Sequence, residues 1–433
     1  MLFIKKCRPV NLSPPEVFDD TVDILIEGGK IIKIGKNLSE EHDKAETIDA
    51  QGKIVTPGLV CSHNHFYSAL ARGIIASIKP ATDFVSILRN LWWRLDRALD
   101  EQSLYHSGLI GALEAVKAGT TAVIDHNASP SFIRGSLKTL KRSFKDVGLR
   151  GILCYEVSCR NGEEEAEEGV QENISFTKER DNLVEASIGA HAPFTLTERI
   201  LEMLTGAVKD TGRGIHIHVA EDSYDPSYSH HNYGKDPLER LEDFGLLNEK
   251  AIIAHGVHLT EKDIKLLNDS GGFLVHNVRS NMNNGVGYGG NLHELKNVAI
   301  GTDGIGSNML EEMKFAFFKG NDQGAGLSPG NILDFLHNGN RILSEYFGEK
   351  FGRIGKDYKA DLVIWDYDAP TPLVGDNLAG HFIFGMSSRD VETVIIDGAV
   401  VYKDRNFLFD TGPIYREASV AAEALWKRMD RIH

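Results

Sequence analysis

The chain has 433 residues, of which 42% are hydrophobic and 25% charged, an ordinary globular composition that excludes a disordered, collagen-like or disulfide-stapled protein. Its 62 acidic and 47 basic residues leave a net charge of −15, which repels phosphate and argues against nucleic acid or an anionic membrane as partner. No apolar run approaches the roughly 18 residues a membrane-spanning helix needs, so neither partner is expected.

In chain order, Met1-Leu2-Phe3-Ile4-Lys5-Lys6 lacks an apolar segment after its lysines, so no signal peptide is expected. The four cysteines, Cys7, Cys61, Cys154 and Cys159, read as reduced thiols of a cytoplasmic protein. Strand-like runs Asp23–Glu27 and Lys30–Ile34 flank Gly28-Gly29, a hairpin turn. Eight short β-branched runs then recur, each followed by a helix-length amphipathic stretch. They are Ile54–Val60, Thr120–Asp125, Arg150–Val157, Glu185–Ala190, Gly214–Val219, Ala251–Val257, Gly272–Asn277 and Val298–Asp303. Helices are predicted over Ser103–Ala118, stopped by Gly119, over Thr195–Asp210, with Thr195 or Thr197 as N-cap and Gly212 closing it, and over Thr260–Asp269, ending at Gly271-Gly272. The acidic run Glu163–Glu168 suits a solvated helix start, and His230-His231 reads as an exposed loop covering the mouth. The glycine cluster Gly285–Gly290 reads as a loop, since it lacks the Lys-Ser/Thr of a phosphate-binding turn. Strand runs return at Asp361–Trp365 and Val391–Ile396, then Asp397-Gly398 and Ala399–Lys403, a second hairpin. Pro413–His433 patterns as an amphipathic helix.

Eight strands alternating with helices predict an α/β fold, a (β/α)8 TIM barrel over 58–355. A smaller discontinuous β-sandwich is expected from both chain ends, 1–57 and 356–433, the latter with a C-terminal helix. An open doubly wound sheet is the alternative. The barrel is favoured because most runs end in a polar or ionisable residue: His63 and His65, then His126, Glu156, His191, His218, His255, His276 and Asp303. A barrel brings its C-terminal strand ends to one mouth, where an open sheet spreads them along a line.

His63 and His65 lie two apart, on one side of the chain as it leaves its strand. The run Ile215-His216-Ile217-His218-Val219-Ala220-Glu221 offers further imidazoles, and Gly301-Thr302-Asp303 a carboxylate. Three neutral histidines with one carboxylate are a suitable set for Zn2+ or Fe2+.

Val55-Thr56-Pro57-Gly58-Leu59-Val60 followed by His63-Asn64-His65 resembles the amidohydrolase superfamily. So do Glu114 with Gly119-Thr120-Thr121, His191-Ala192-Pro193, His218 with Glu221, Ala254-His255-Gly256-Val257-His258-Leu259, Asp303 with Ser307-Asn308, and Lys359-Ala360-Asp361-Leu362-Val363. Together they point to its triazine-hydrolase, S-adenosylhomocysteine-deaminase and guanine-deaminase branch. A narrower resemblance, through Cys154–Ser158, Val275–Asn284 and Gly380–Met386, is to the aminohydrolases called SsnA.

The resemblance implies one divalent metal, zinc first and Fe2+ second, held by His63, His65, His218 and Asp303. His218 is preferred over His216 for its spacing to Glu221, and His216 is expected one layer deeper. Zinc can take a water pKa from 15.7 to about 7, making hydroxide available at neutral pH. The implied reaction is hydrolytic deamination of a purine- or pyrimidine-like heterocycle, a small-molecule amine. Asp303 takes the water's proton, Glu221 carries a proton to the ring with a raised pKa, and His255 steadies the attacking oxygen. His191, Asn281 and Glu156 are expected against substrate, and Ser307 and Asn308 behind Asp303. A binuclear cyclic-amide hydrolase, with Glu156 bridging two ions, and a non-catalytic scaffold are the competing readings. The run Glu185–Ala192 lacks the lysine that many binuclear relatives carboxylate. His276-Asn277-Val278 departs from the Cys-Pro common in the branch, Asn283 stands where many relatives have lysine, and Asn127 where the narrower group often has histidine, so substrate identity stays open. Relatives are often dimers or tetramers, and a homo-oligomer is an open expectation.

Overall fold

The computed structural model describes residues 1–38 and 46–432. The expected end pieces 1–57 and Pro413–His433 include residues 39–45 and His433, which lie outside the described residues.

Two parallel sheets form the centre. One has four strands in the order Val184–Ala186, Arg150–Tyr155, Thr120–Asn127 and Leu59–Asn64. The other has five, Ile188–Ala190, Ile215–Val219, Ile252–His255, Phe273–His276 and Val298–Ile300. Isolated parallel bridges join the sheets at both edges, Val157 to Ala190 and Asn64 to Asp303. Every residue of these strands is buried, as parallel strands covered on both faces require. That explains why they read as continuous apolar runs and not as alternating ones.

Two expected strands are each divided. The run Ile54–Val60 breaks at Pro57-Gly58: Ile54–Pro57 pairs antiparallel with Leu362–Trp365, and Leu59–Asn64 opens the parallel array. A Cβ at Gly58 would lie 1.9 Å from Thr121 Oγ1, so only glycine passes between the sheets here. The run Glu185–Ala190 breaks at Ser187, one half pairing with Arg150–Tyr155 and the other with Ile215–Val219. The three predicted helices are present as Glu101–Lys117, Glu198–Thr211 and Glu261–Ser270. Thr197 and Thr260 cap the last two, and left-handed Gly212 and Gly271 end them. His230 and His231 belong to the helix Tyr224–Tyr233 and not to the expected loop; His230 Nε2 bonds Asp236 Oδ1 at 2.6 Å.

Both chain ends meet in one ten-stranded sheet. Its central path runs Val391–Ile396, Leu362–Trp365, Ile54–Pro57, Leu2–Leu12, Val22–Glu27 and Lys30–Gly35. Ile4, Ile24, Ile26, Val55, Leu362 and Ile395 form its own small core. Positive φ at Asp397 (51°) and Gly398 (76°) makes the second hairpin turn as predicted. The helix Gly412–Met429 lies against Glu101–Lys117 and Trp93–Ala98. Among the described residues no helix is long and apolar enough to cross a membrane.

Arg150 clasps the two parts. It is fully buried at the start of its strand, with Nη2 3.0 Å from Asp361 Oδ1 and 3.2 Å from Asp397 Oδ1. Removing one partner of a buried ion pair strands the other charge. Asp361→Ala is therefore expected to cost about 3–5 kcal/mol, read as a lowered urea midpoint.

Candidate metal centre

Alternation along Leu59–Asn64 sends Val60, Ser62 and Asn64 one way and Cys61 and His63 the other; His65 follows directly. Each of the three expected histidine ligands has its Nδ1 occupied. His65 Nδ1 bonds the His126 carbonyl at 2.6 Å, and His218 Nδ1 the His191 carbonyl at 2.7 Å. His63 Nδ1 lies 2.8 Å from His216 Nε2. The three Nε2 atoms are thus left to converge with the Asp303 carboxylate. His65 Nε2 is 2.9 Å and His63 Nε2 3.3 Å from Asp303 Oδ1, and His65 Nε2 is 3.1 Å from His218 Nε2. One ligand atom from each of the four residues lies within 4.8 Å of the others. His63 Nε2 is buried without a hydrogen-bond partner. A buried orphan acceptor beside a carboxylate fits a cation better than any other occupant, and three imidazoles with one carboxylate fit a divalent transition metal.

The charges agree. Burial lowers the pKa of His63 to about 3 and of His218 well below 6.5, so both present lone pairs at neutral pH. At His65 burial also pulls down, but the Asp303 carboxylate prevails and raises it to about 9; Asp303 is itself held well below the carboxylate range against its burial, chiefly by His65. Protonation of His65 beside Asp303 thus competes with a cation for the same atoms. Metal affinity is therefore expected to fall about tenfold per pH unit from pH 8 to pH 6, measured by chelator competition.

Asp303 and His255 both carry positive φ, 51° and 73°, where non-glycine residues need support from their surroundings. Asp303 N donates to His63 O at 3.1 Å, and Ser280 Oγ donates to Asp303 Oδ2. Ser280 is thus the brace expected of Ser307 and Asn308. Ser307 Oγ instead accepts from Asn64 Nδ2 at 3.3 Å, and Asn308 caps the helix Met309–Asp322. His255 Nδ1 is 2.8 Å from Asn281 Oδ1, and its Nε2 is 3.6 Å from Glu221 Oε2. Glu221 Oε1 accepts from Asn284 Nδ2 at 3.2 Å. Burial first, and Asp303 in addition, raise the Glu221 pKa, opposed by His255. Asn281, expected against substrate, stands behind His255.

Glu156 and His191 both line a cavity whose wall also includes His65, His218 and Asp303. Glu156 lies 3.3 Å from His126 Nδ1, 3.8 Å from His191 Nε2 and 3.4 Å from Arg160 Nη1. Glu156, His126, His65 and His218 could in principle gather a second ion. That set shares two ligands with the first, and the Arg160 guanidinium occupies the Glu156 side. The aromatic wall of the cavity, Phe84, Trp92, Trp93, Phe194 and Tyr224, was not anticipated. A sequence signal for it is Leu91-Trp92-Trp93, two adjacent tryptophans of the four in the chain. Cys154 Sγ lies 3.5 Å from His216 Nδ1, and among the four cysteines there is no disulfide.

The pattern of the amidohydrolase family matches residues 54–401. A 5-methylthioadenosine/S-adenosylhomocysteine deaminase of Thermococcus sibiricus is 32% identical over 394 residues, covering 88% of this chain and 89% of its own. A 5'-deoxyadenosine deaminase of Methanocaldococcus jannaschii is 31% identical over 93% of this chain and 96% of its own. Among solved structures, a zinc-bound adenosine deaminase from Xanthomonas campestris superposes with a TM-score of 0.84 at 21% identity, covering 98% of each chain. The zinc complex of an atrazine chlorohydrolase from Arthrobacter aurescens gives 0.82 at 22% identity, covering 98% of this chain and 100% of its own.

Proposed function

Because the chain belongs to the amidohydrolase family, we propose that it is a metal-dependent hydrolase that removes an amino group from a purine- or pyrimidine-like heterocycle. The observation that carries the reading is the convergence of His63, His65, His218 and Asp303 beside the Glu221–His255 pair, with His65, His218, Asp303 and Glu221 lining one cavity. The two bridged parallel sheets are read as one (β/α)8 barrel over 58–355, and the sheet of both chain ends as a second, discontinuous domain.

His63, His65, His218 and Asp303 would hold one divalent ion, zinc first. When bound, such an ion lowers the pKa of a coordinated water toward about 7 and so supplies hydroxide at neutral pH. The chain's own groups do the rest. Asp303 Oδ1 accepts the water's proton. Glu221, half-buried, in its protonated form donates to a ring nitrogen, which makes the neighbouring carbon electrophilic and helps ammonia depart. His255 Nε2 faces the attacking oxygen, with Asn281 Oδ1 fixing its tautomer by accepting from Nδ1–H. Glu156 and His191 contact the heterocycle from the cavity wall. The relatives' names make an adenosine-derived base the first substrate to try.

The test is ammonia release by zinc-loaded protein from aminated purines, pyrimidines, pterins and triazines. Turnover of at least one supports the reading; no release from any member rejects it.

His216 holds the orientation of His63: it accepts from His63 Nδ1–H and, through its own Nδ1–H, points to Cys154 Sγ. Outer partners of ligating histidines matter to metal affinity by about 10–100-fold. His216→Ala is expected to lose metal to a chelator that much more readily, as measured by competition titration.

A further inference from the structure

We propose that the substrate bears no negative charge outside its reacting ring, so that the enzyme takes neutral or cationic aminated heterocycles and rejects those with a carboxylate or phosphate tail. This deepens the deaminase reading and rests on it.

Among the described residues lining the cavity, Arg160 is the one lysine or arginine. Its guanidinium is already engaged twice. Nη1 lies 3.4 Å from Glu156 Oε1, and Nη2 bonds the buried Asp96 carboxylate. The third neighbour is the Trp93 ring, its centroid 5.3 Å from Cζ. A divalent ion at the histidine cluster is likewise answered, by Asp303 and by Glu156, whose oxygen lies within 4.8 Å of ligating atoms of His65 and His218. Three further acids line the cavity. Glu221 belongs to the reaction. Asp225 Oδ1 and Oδ2 accept from Phe194 N (3.2 Å) and Ala220 N (2.8 Å). Asp222 is half-buried at the rim and bonds the Tyr224 amide at 2.9 Å. In the outer vestibule Arg89 is accompanied by both Asp83 and Asp222.

Positive charge in the cavity is thus matched or exceeded by carboxylates, and a second anion would enter without a partner. The remaining wall is aromatic, which suits a flat ring and an uncharged substituent. Like charges brought together without a counter-ion discriminate against the wrong ligand more strongly than lost contacts do.

The test pairs adenosine with adenosine 5'-monophosphate, and cytidine with cytidine 5'-monophosphate, on the zinc-loaded full chain. Ammonia release is one readout and the ligand-induced shift in Tm the other. The neutral member is expected to exceed its phosphate in kcat/KM by about 100-fold, equivalent to about 2.7 kcal/mol at 1.36 kcal/mol per factor of ten. Asp222→Asn keeps the acceptor for the Tyr224 amide and should raise the phosphate-to-neutral ratio by about tenfold. Asp96→Asn, which releases one side of Arg160, should raise it in the same direction. Equal handling of both members overturns the inference and leaves the deaminase reading standing. Binding of neutral members alone keeps the inference, and the deaminase reading falls only if the purine, pyrimidine, pterin and triazine panel also releases no ammonia. Silence in both readouts from every pair and from every member of that panel overturns both.

Discussion

Glu221→Gln lowers kcat by about 1,000-fold, within the 100-fold to 10,000-fold range of a general acid, while metal content stays that of the native protein. The substitution keeps the side chain's shape and an oxygen to accept from Asn284 Nδ2, but glutamine has no proton to deliver. Metal analysis alongside the kinetics separates this loss from a disturbed ligand set. The pH profile gives a second signature. Burial raises the Glu221 pKa, so its protonated, donating form persists at higher pH than an exposed glutamate allows. Rate that depends on that form is present below the raised pKa and lost as pH rises through it. That alkaline fall is expected in the native protein and absent in Glu221→Gln. A variant with native kcat would show that Glu221 carries no proton in the reaction.

Asp303→Ala is expected to cost at least about 10,000-fold in kcat/KM, because it removes a proton acceptor and a ligand in one step. Equilibrium dialysis should show weakened metal retention as well. A further readout needs no activity. In the metal-free protein Asp303 is what lifts His65 to about 9 against its burial. Without the carboxylate, burial is opposed only by Glu156 and the His126 carbonyl, and the titration of that imidazole by NMR should move down. An unmoved His65 would mean that the two groups do not interact as their 2.9 Å separation requires. If activity and retention also stayed native, Asp303 would have no place in the site.

The pairing of His63 with His65 and the parallel strands were legible because both rest on short-range regularities, whereas the proposed set of four ligands came from the family resemblance. His63-x-His65 follows from the two-residue period of a strand, and eight apolar runs separated by helix-length stretches imply a parallel array. The divisions at Pro57-Gly58 and Ser187 were not legible, since apolar character continues across both. What breaks the first is the closeness of Thr121, a residue more than sixty positions later. Ser280 went unnoticed for a related reason. Its hydroxyl reaches Asp303 only because the helix Val278–Asn284 starts directly after the strand Phe273–His276. Asn281 was sought at the substrate and found behind His255, one layer being all that separates the two roles. The aromatic wall depends on how the connection 66–100 folds over the mouth, and no periodicity specifies that path.

The interleaving of the chain ends has a consequence for how the protein is made. Ile54–Pro57 is flanked by Leu2–Leu12 and by Leu362–Trp365, and the latter emerges from the ribosome about 300 residues later, or about 15–60 s at 5–20 residues per second. Throughout that interval the nascent amino-terminal strands hold an unpaired edge, the kind of surface that chaperones shield and aggregates extend. A premature stop anywhere before Leu362 would therefore leave an early-synthesised sheet permanently open, and such fragments should be cleared by proteases even where every ligand of the metal centre has already been translated.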